Sequence, residues 1–335
     1  MPYFTEYVQT DSRSGHAKYN VPPQIGHYSH PNSCRLMRVI LRTLERITAF
    51  LVVFFLLGCH GSGRPVQMGG GIFGTTWSLT YLSAPENVTP EIVQEEVETV
   101  FALVNASMNH YDPESLISRF NGLSMGVPLI VDGGFAHVLS TALELEELTD
   151  GAYDVTLSPL SQLWGFGQQG STRIPTAEQI EMARREIGSA QLIWEPSSRM
   201  LEKRIDELKL DFSSLAKGYA VDLVAETLDE LEVQSYMFEI GGEIRVRGLS
   251  PRGDSWRIGV KWPEQQNIGR LNQEALEVTD IAVATSGDYL NFFEWEGNKY
   301  SHLIDPRTGY PIQNDVVSVT VVHGSAMMAD AWATA

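Results

Sequence analysis

Cysteine is nearly absent from this sequence. Cys34 and Cys59 are the only two, so no disulfide framework can staple the fold, and no C-x-x-C spacing offers a thiolate zinc site. Basic residues are also scarce: 24 Lys and Arg stand against 42 Asp and Glu, a formal charge of −18. With so few cations nothing would neutralise phosphates over a broad face, which excludes nucleic acid as a partner. The main apolar run, Ile47 to Gly58, is too short to span a hydrocarbon core of roughly 30 Å comfortably. No internal repeat or low-complexity tract is evident. No G-x-G-x-x-G follows a strand, and there is no G-x-x-x-x-G-K-[ST], H-E-x-x-H or G-x-S-x-G. Rossmann, P-loop, zincin and α/β-hydrolase readings therefore lack support. What is present is 43% apolar and 20% charged residues in 335, enough core for one large domain or two small ones.

The N-terminal region reads as lying outside the fold. Residues 1–36 are polar with little periodicity, and are expected to be disordered or to precede the true start. Met37 is a better start, because Arg38, Arg42 and Arg46 lead into the apolar run. Residues 37–58 thus have the layout of a secretory signal peptide. The run closes on Leu56-Leu57-Gly58-Cys59, which resembles the lipobox of bacterial lipoproteins, with Cys59 as the lipidated new terminus. Acyl chains contribute roughly 0.8 kcal/mol per buried methylene, so several hold a protein stably on a membrane. An ordinary signal peptide or a single-helix anchor is the alternative. Residues 59–71 read as the lipidated cysteine and a tether, and 72–335 as the functional domain. The expected place is the bacterial cell envelope, lipid-anchored on the periplasmic side. The inner membrane is preferred over the outer, although His60 follows the cysteine where a retention signal would carry Asp.

Patterning along 72–335 predicts α+β, a single two-lobed catalytic domain of mixed sheets flanked by helices. Thr75 to Leu82 alternates as a strand does. Thr89-Pro90-Glu91 is an N-cap, a first-turn proline and an acidic first turn, opening a helix to about Met108. Further helices are predicted over about 134–148, 177–187 and 218–231. Strands are predicted over Leu208–Phe212, Tyr236–Ile240, Glu243–Arg247, Trp256–Lys261, Ala282–Thr285 and Val316–Val322.

Five segments could carry chemistry. In Asp211 to Ala220 a carboxylate, two hydroxyls and Lys217 sit where a strand meets a helix, whose N–H groups favour anions. The competing reading is helix capping by Ser213 or Ser214 with a solvated lysine. Glu239-Ile240-Gly241-Gly242-Glu243 allows close backbone approach to a ligand, or is a plain tight turn. In Tyr300 to Gly309, His302 could serve as a general base, Arg307 could pair with phosphate, or the segment is a structural turn. Asp330 and Thr334 are four apart, on one helix face, as hard oxygen ligands for Mg²⁺ or as an unconnected pair. Tyr153, Trp164 and Phe166 could frame a planar ring or belong to the core.

Together and in this order, the segments resemble the FAD:protein FMN transferase (ApbE) family of periplasmic flavin transferases. The resemblance runs from Phe73-Gly74-Thr75-Thr76-Trp77 and Tyr111-Asp112-Pro113 through Tyr153-Asp154-Val155-Thr156, Leu163 to Gly167 and Asp211 to Ala220. It continues with Glu239 to Glu243, Thr285 to Tyr289, Ser301 to Gly309 and Asp330 to Thr334. It implies binding of FAD and Mg²⁺, cleavage of the pyrophosphate, and transfer of FMN to a Ser or Thr hydroxyl of an acceptor, a flavoprotein subunit of an exported redox complex. AMP leaves. By the same resemblance Asp330 and Thr334 ligate Mg²⁺ with Ser214, through its backbone carbonyl or its hydroxyl, and Asp211 and Lys217 hold FAD. Phe73, Tyr111, Ala152, Tyr153, Asp154, Ile304 and Ala333 line the flavin or adenine site, and His302 is the catalytic base. Two other activities fit the same segments: an FAD pyrophosphatase giving FMN and AMP, and a non-enzymatic flavin-binding lipoprotein. Members of the family continue past the metal-binding helix, so the end at Ala335 is expected to be a fragment's end.

Overall fold

A computed structural model describes residues 6–11, 64–166, 174–261, 273–287 and 292–335. Cys59, the predicted signal peptide, Gly167, Asp288 and Tyr289 lie outside the described residues.

The frame is a seven-stranded sheet in which every pairing is antiparallel. Its order is Glu6–Asp11, Val316–His323, Ile281–Gly287, Glu243–Arg247, Tyr236–Ile240, Thr75–Tyr81 and Val66–Ile72. Successive side chains on a strand point to opposite faces, and the apolar residues sort accordingly. Trp77, Leu79, Tyr81, Phe238 and Ile240 face the main core. Val246 and Val283 face the other side, where Trp256 and Ile258 cover them. The α+β class agrees with this frame, and so do the expected strands with two exceptions. Trp256–Lys261 pairs outside it with Gln273–Val278. Leu208–Phe212 has no regular secondary structure and joins no sheet. Its backbone is satisfied otherwise: Leu210 donates to Asn121 Oδ1 at 2.8 Å, the Asn121 amide donates to the Leu210 carbonyl at 2.9 Å, and Asp211 N donates to the Val155 carbonyl at 2.8 Å. A side-chain amide does here what a neighbouring strand would do.

Two N-terminal boundaries also differ from the sequence reading. Glu6–Asp11, within the stretch expected to be disordered, pairs with Val316–Val322. Tyr7, Val8 and Thr10 give it strand propensity. The fold also begins before residue 72, because Val66–Ile72, assigned to the tether, pairs along its whole length with Thr75–Tyr81. Glycines 69 and 70 look like linker but are a packing requirement. A Cβ at Gly69 would lie 2.7 Å from the Trp77 carbonyl oxygen, and one at Gly70 2.9 Å from the Trp77 indole nitrogen.

Three long helices cover the main core. Pro90–Met108 starts at Thr89, whose side chain accepts from Ile92 N at 3.4 Å. It buries Val93, Val97, Val100 and Val104, one stripe at helical spacing. Gly133–Leu148 starts at Asp132, which accepts from Phe135 N at 2.7 Å. Thr176 and Gln179 form a capping box for a shorter helix, Ala177–Arg184. Leu116–Gly122 is a helix that the patterning did not show.

The third long helix, Ala216–Glu230, packs against the last, Ala326–Thr334. Gly218 makes this contact possible, since a Cβ there would lie 2.5 Å from the Ala326 carbonyl oxygen. Each helix caps the other. Asp222 accepts from Ser325 Oγ at 2.6 Å, Ala326 N at 2.8 Å and Met327 N at 3.0 Å. The Gly218 N–H in turn favours the charged form of Asp330. Carboxylates at helix N-termini satisfy orphan donors and complement the dipole. Asp222→Ala is therefore expected to destabilise the protein by about 1–3 kcal/mol, read as a lowered urea midpoint. An unchanged midpoint would show that the two helices do not depend on this cap.

Candidate functional site

The mutual capping sets Lys217 and Asp330 side by side at the base of a cavity of about 430 Å³, within the usual range of small-molecule sites. Its walls come from segments far apart in sequence: 152–161, 211–217, 241–243, 285–287, 302–307 and 330–335. Ala152, Tyr153, Asp154, Asp211, Ser214, Lys217, His302, Ile304, Asp330 and Thr334, all singled out from the sequence, line it together. Phe73, Tyr111 and Ala333 do not. Phe73 sits in the two-residue turn before Thr75 with φ of 50°, its ring 5.8 Å from Phe101 and edge-on. Tyr111 is 72% exposed and lies against His110, with ring centres 4.1 Å apart. Ala333 is buried against Ala284, Val321 and Ala329.

At the base, the Lys217 ammonium lies 3.0 Å from Glu243 Oε1 and 3.3 Å from Asp330 Oδ2. Burial pushes the ammonium's pKa down, but the two carboxylates outweigh it and hold the value above that of ordinary lysine. Burial raises Asp330, against the opposing pull of Lys217 and the Gly218 N–H. Glu243 is pushed up to about 7 by burial and by the Asp330 charge, and its Oε2 is buried without a hydrogen-bond partner. The sequence reading gave Glu243 no role. The signal was available in the pair Gly241-Gly242, whose positive φ values of 61° and 112° turn the chain sharply enough to bring Glu243 back beside Ile240.

The alternatives left open for 211–217 are resolved by geometry. The first residue flanking helix 216–230 is Leu215, and no side chain caps it locally. Ser213 instead donates to Asp211 Oδ1 through its N–H at 2.8 Å and its hydroxyl at 2.5 Å. The Ser214 hydroxyl bonds to the Tyr153 phenol at 2.7 Å, and Lys217 is paired rather than solvated. Burial raises the Tyr153 phenol well above its ordinary pKa, so it stays protonated.

The remaining walls are equally fixed. Asp154 accepts from Thr156 N at 2.7 Å and Thr156 Oγ1 at 2.6 Å, and burial still raises its pKa. Thr334 Oγ1 lies 3.2 Å from Ser286 Oγ. Asp305 takes a two-pronged contact from Arg307, at 2.9 Å through Nε and 3.0 Å through Nη2, and is held below its ordinary pKa chiefly by that hydrogen bond. His302 lies edge-on to Phe166 at 6.3 Å. Trp164, one of the possible ring-stackers, is buried with its indole N–H on the Gly309 carbonyl at 2.8 Å and its ring stacked on Tyr300. That is the core alternative.

Asp154, Asp211, Glu243, Asp305 and Asp330 face the cavity against two fixed cations, Lys217 and Arg307. Arg307 is already committed to Asp305. An anionic ligand cannot enter so acidic a site without bringing or meeting further positive charge. Among the described residues no group of three or more His, Cys, Asp and Glu could hold a metal. The Asp330 carboxylate with the Thr334 hydroxyl and an oxygen of Ser214, carbonyl or hydroxyl, is, however, a hard oxygen set suited to Mg²⁺, which commonly takes only one or two carboxylates and completes its shell from phosphates and water. The donor chemistry and the negative excess therefore fit that ion.

Comparison with known proteins shows the family. A model of the ApbE family matches residues 73–335. The FAD:protein FMN transferase of Vibrio cholerae is 41% identical over 289 residues, covering 86% of this chain and 85% of its own. That of Haemophilus influenzae is 35% identical over 298 residues, covering 88% and 86%. Among solved structures, the flavin transferase ApbE from Vibrio cholerae superposes with a TM-score of 0.73 at 41% identity, over 81% of this chain and 85% of that one. The apo flavinyl transferase ApbE of Pseudomonas stutzeri gives 0.73 at 37% identity, over 81% and 83%.

Proposed function

Since the chain belongs to the ApbE family, we propose that it transfers FMN from FAD to a Ser or Thr hydroxyl of an acceptor flavoprotein. Mg²⁺ assists and AMP leaves. The observation that carries this reading is the gathering of Asp211, Ser214, Lys217, His302, Asp330 and Thr334 around one acidic cavity.

Bound by Asp330, Thr334 and Ser214, Mg²⁺ would neutralise pyrophosphate charge and polarise the phosphorus. The chain's own groups do the rest. Lys217 stays cationic beside the pyrophosphate, where a fixed charge stabilises the transition state without reorganisation. Tyr153 and Asp211 keep the 213–214 turn in place through their bonds to Ser214 and Ser213. His302 takes the proton from the acceptor hydroxyl. The hydroxyl oxygen bonds to the phosphorus of the FMN half, the bond from that phosphorus to the bridging oxygen breaks, and AMP departs with that oxygen. The acceptor belongs to an exported redox complex, and the enzyme is held at the periplasmic side of the membrane through Cys59.

Product analysis tests the reaction type. With FAD and Mg²⁺, AMP is expected to form in step with covalent flavin on the acceptor, with little free FMN. FMN and AMP in equal amounts without any acceptor would establish a pyrophosphatase instead. His302→Ala is expected to lower the transfer rate by about 10²- to 10⁴-fold with FAD binding retained. A variant that keeps its rate would remove His302 from the chemistry.

A further inference from the structure

The Lys217 ammonium is shared between two buried carboxylates, and only one of them, Asp330, belongs to the proposed cation site. Glu243 has no role in that reading. It enters from a different element, the strand Glu243–Arg247 immediately after the Gly241-Gly242 turn. Its side chain is 5% exposed. One oxygen holds Lys217 at 3.0 Å, slightly closer than Asp330 does at 3.3 Å. The other oxygen is buried with no hydrogen-bond partner. A buried carboxylate left half-satisfied is costly unless its charge is used.

We propose that Glu243 is a positioning residue for the cation site: by holding the Lys217 ammonium it keeps that ammonium from saturating Asp330, and so leaves Asp330 able to take a divalent cation.

The effect is electrostatic. An ammonium and a metal ion compete for the same carboxylate oxygens. With Glu243 charged, the ammonium has a second partner and its hold on Asp330 is weaker. With Glu243 neutralised, Lys217 has Asp330 alone, and any incoming cation must displace it from a buried pair. The inference rests on the reading of Asp330 as a cation ligand. It differs from a general attraction of Glu243 for cations, because its effect must pass through Lys217.

Mn²⁺ binding to the full chain without flavin, followed by the loss of the free-ion EPR signal, measures this independently of turnover. Glu243→Gln is expected to weaken Mn²⁺ binding by about tenfold. Lys217→Met is expected to tighten it. In the Lys217→Met background, Glu243→Gln should then lose most of its effect, because coupled neighbours are not additive. Glu243→Asp, which restores the charge, should recover part of the affinity. Near-UV circular dichroism checks that each variant is folded. Wild-type binding with no change in Glu243→Gln, or the same loss in both backgrounds, overturns the inference while leaving the cation site standing. Failure of the wild-type chain to bind Mn²⁺ overturns the Asp330 site itself, and the inference with it.

Discussion

Replacing Asp330 with alanine is expected to reduce flavin transfer by about 10²- to 10³-fold or more, the cost of removing one preorganised electrostatic contact at a transferring phosphoryl group. Three roles meet in this carboxylate. It is the one charged member of the proposed Mg²⁺ set, it pairs with Lys217 at 3.3 Å, and the Gly218 N–H favours its charged form. The fold should survive, because Lys217 keeps Glu243 as a partner at 3.0 Å and the ammonium is not left buried and unpaired. Asp330→Asn separates the roles. It keeps an acceptor for Gly218 but loses the charge, so it should unfold like the wild type and still fail to transfer. Rates of covalent flavin incorporation and urea midpoints for both variants decide this. Near-normal transfer by Asp330→Asn would mean that the carboxylate's charge is not what the reaction uses.

The second large effect is expected at Gly218, which touches neither cation nor substrate. A methyl group there would have to occupy space 2.5 Å from the Ala326 carbonyl oxygen and 2.6 Å from Met327 Cα. Both are backbone atoms, which cannot rotate away as a side chain would. Gly218→Ala must therefore push Ala326–Thr334 off Ala216–Glu230. Overpacking of this kind costs about 1–3 kcal/mol, a fall in melting temperature of about 2–4 °C for each kcal/mol in a domain of this size. The catalytic effect should be larger than the thermal one. Asp330 and Thr334 ride on the displaced helix, and a misplacement of about 1 Å can cost about 10²-fold in rate. Thermal melting and transfer rate, measured on the same sample, test this. A variant with unchanged melting and unchanged rate would show that the helix contact has slack that these distances deny.

Much of this arrangement is legible in the sequence because it depends on local rules. Thr89-Pro90 and Thr176 mark helix starts by capping chemistry, and Val93 to Val104 show a buried face by their spacing. Asp330 and Thr334 share a helix face for the same reason. What escaped depends on contacts between distant segments. Nothing near Leu208–Phe212 announces that Asn121 will take the place of a neighbouring strand. Gly69 and Gly70 have the composition of a tether, and only the Trp77 side chain and carbonyl across the sheet show why a Cβ is excluded. Asp222 reads as one more acidic residue on a helix until Ser325, Ala326 and Met327 are brought to it. Glu243 lay inside a segment already singled out, yet its charge has meaning only beside Lys217 and Asp330. Phe73, Tyr111 and Ala333, which a family pattern places at the ligand, are not among the residues that line this cavity.

The most direct test of the account is whether the protein attaches flavin covalently to an acceptor. The chain is incubated with FAD, Mg²⁺ and a Ser- or Thr-containing acceptor domain of an exported flavoprotein. Flavin fluorescence is then read on a denaturing gel. The account predicts a fluorescent acceptor band that is lost with EDTA and with Asp330→Ala. An unlabelled acceptor in a reaction that turns FAD over, or a band that persists in EDTA, would contradict it.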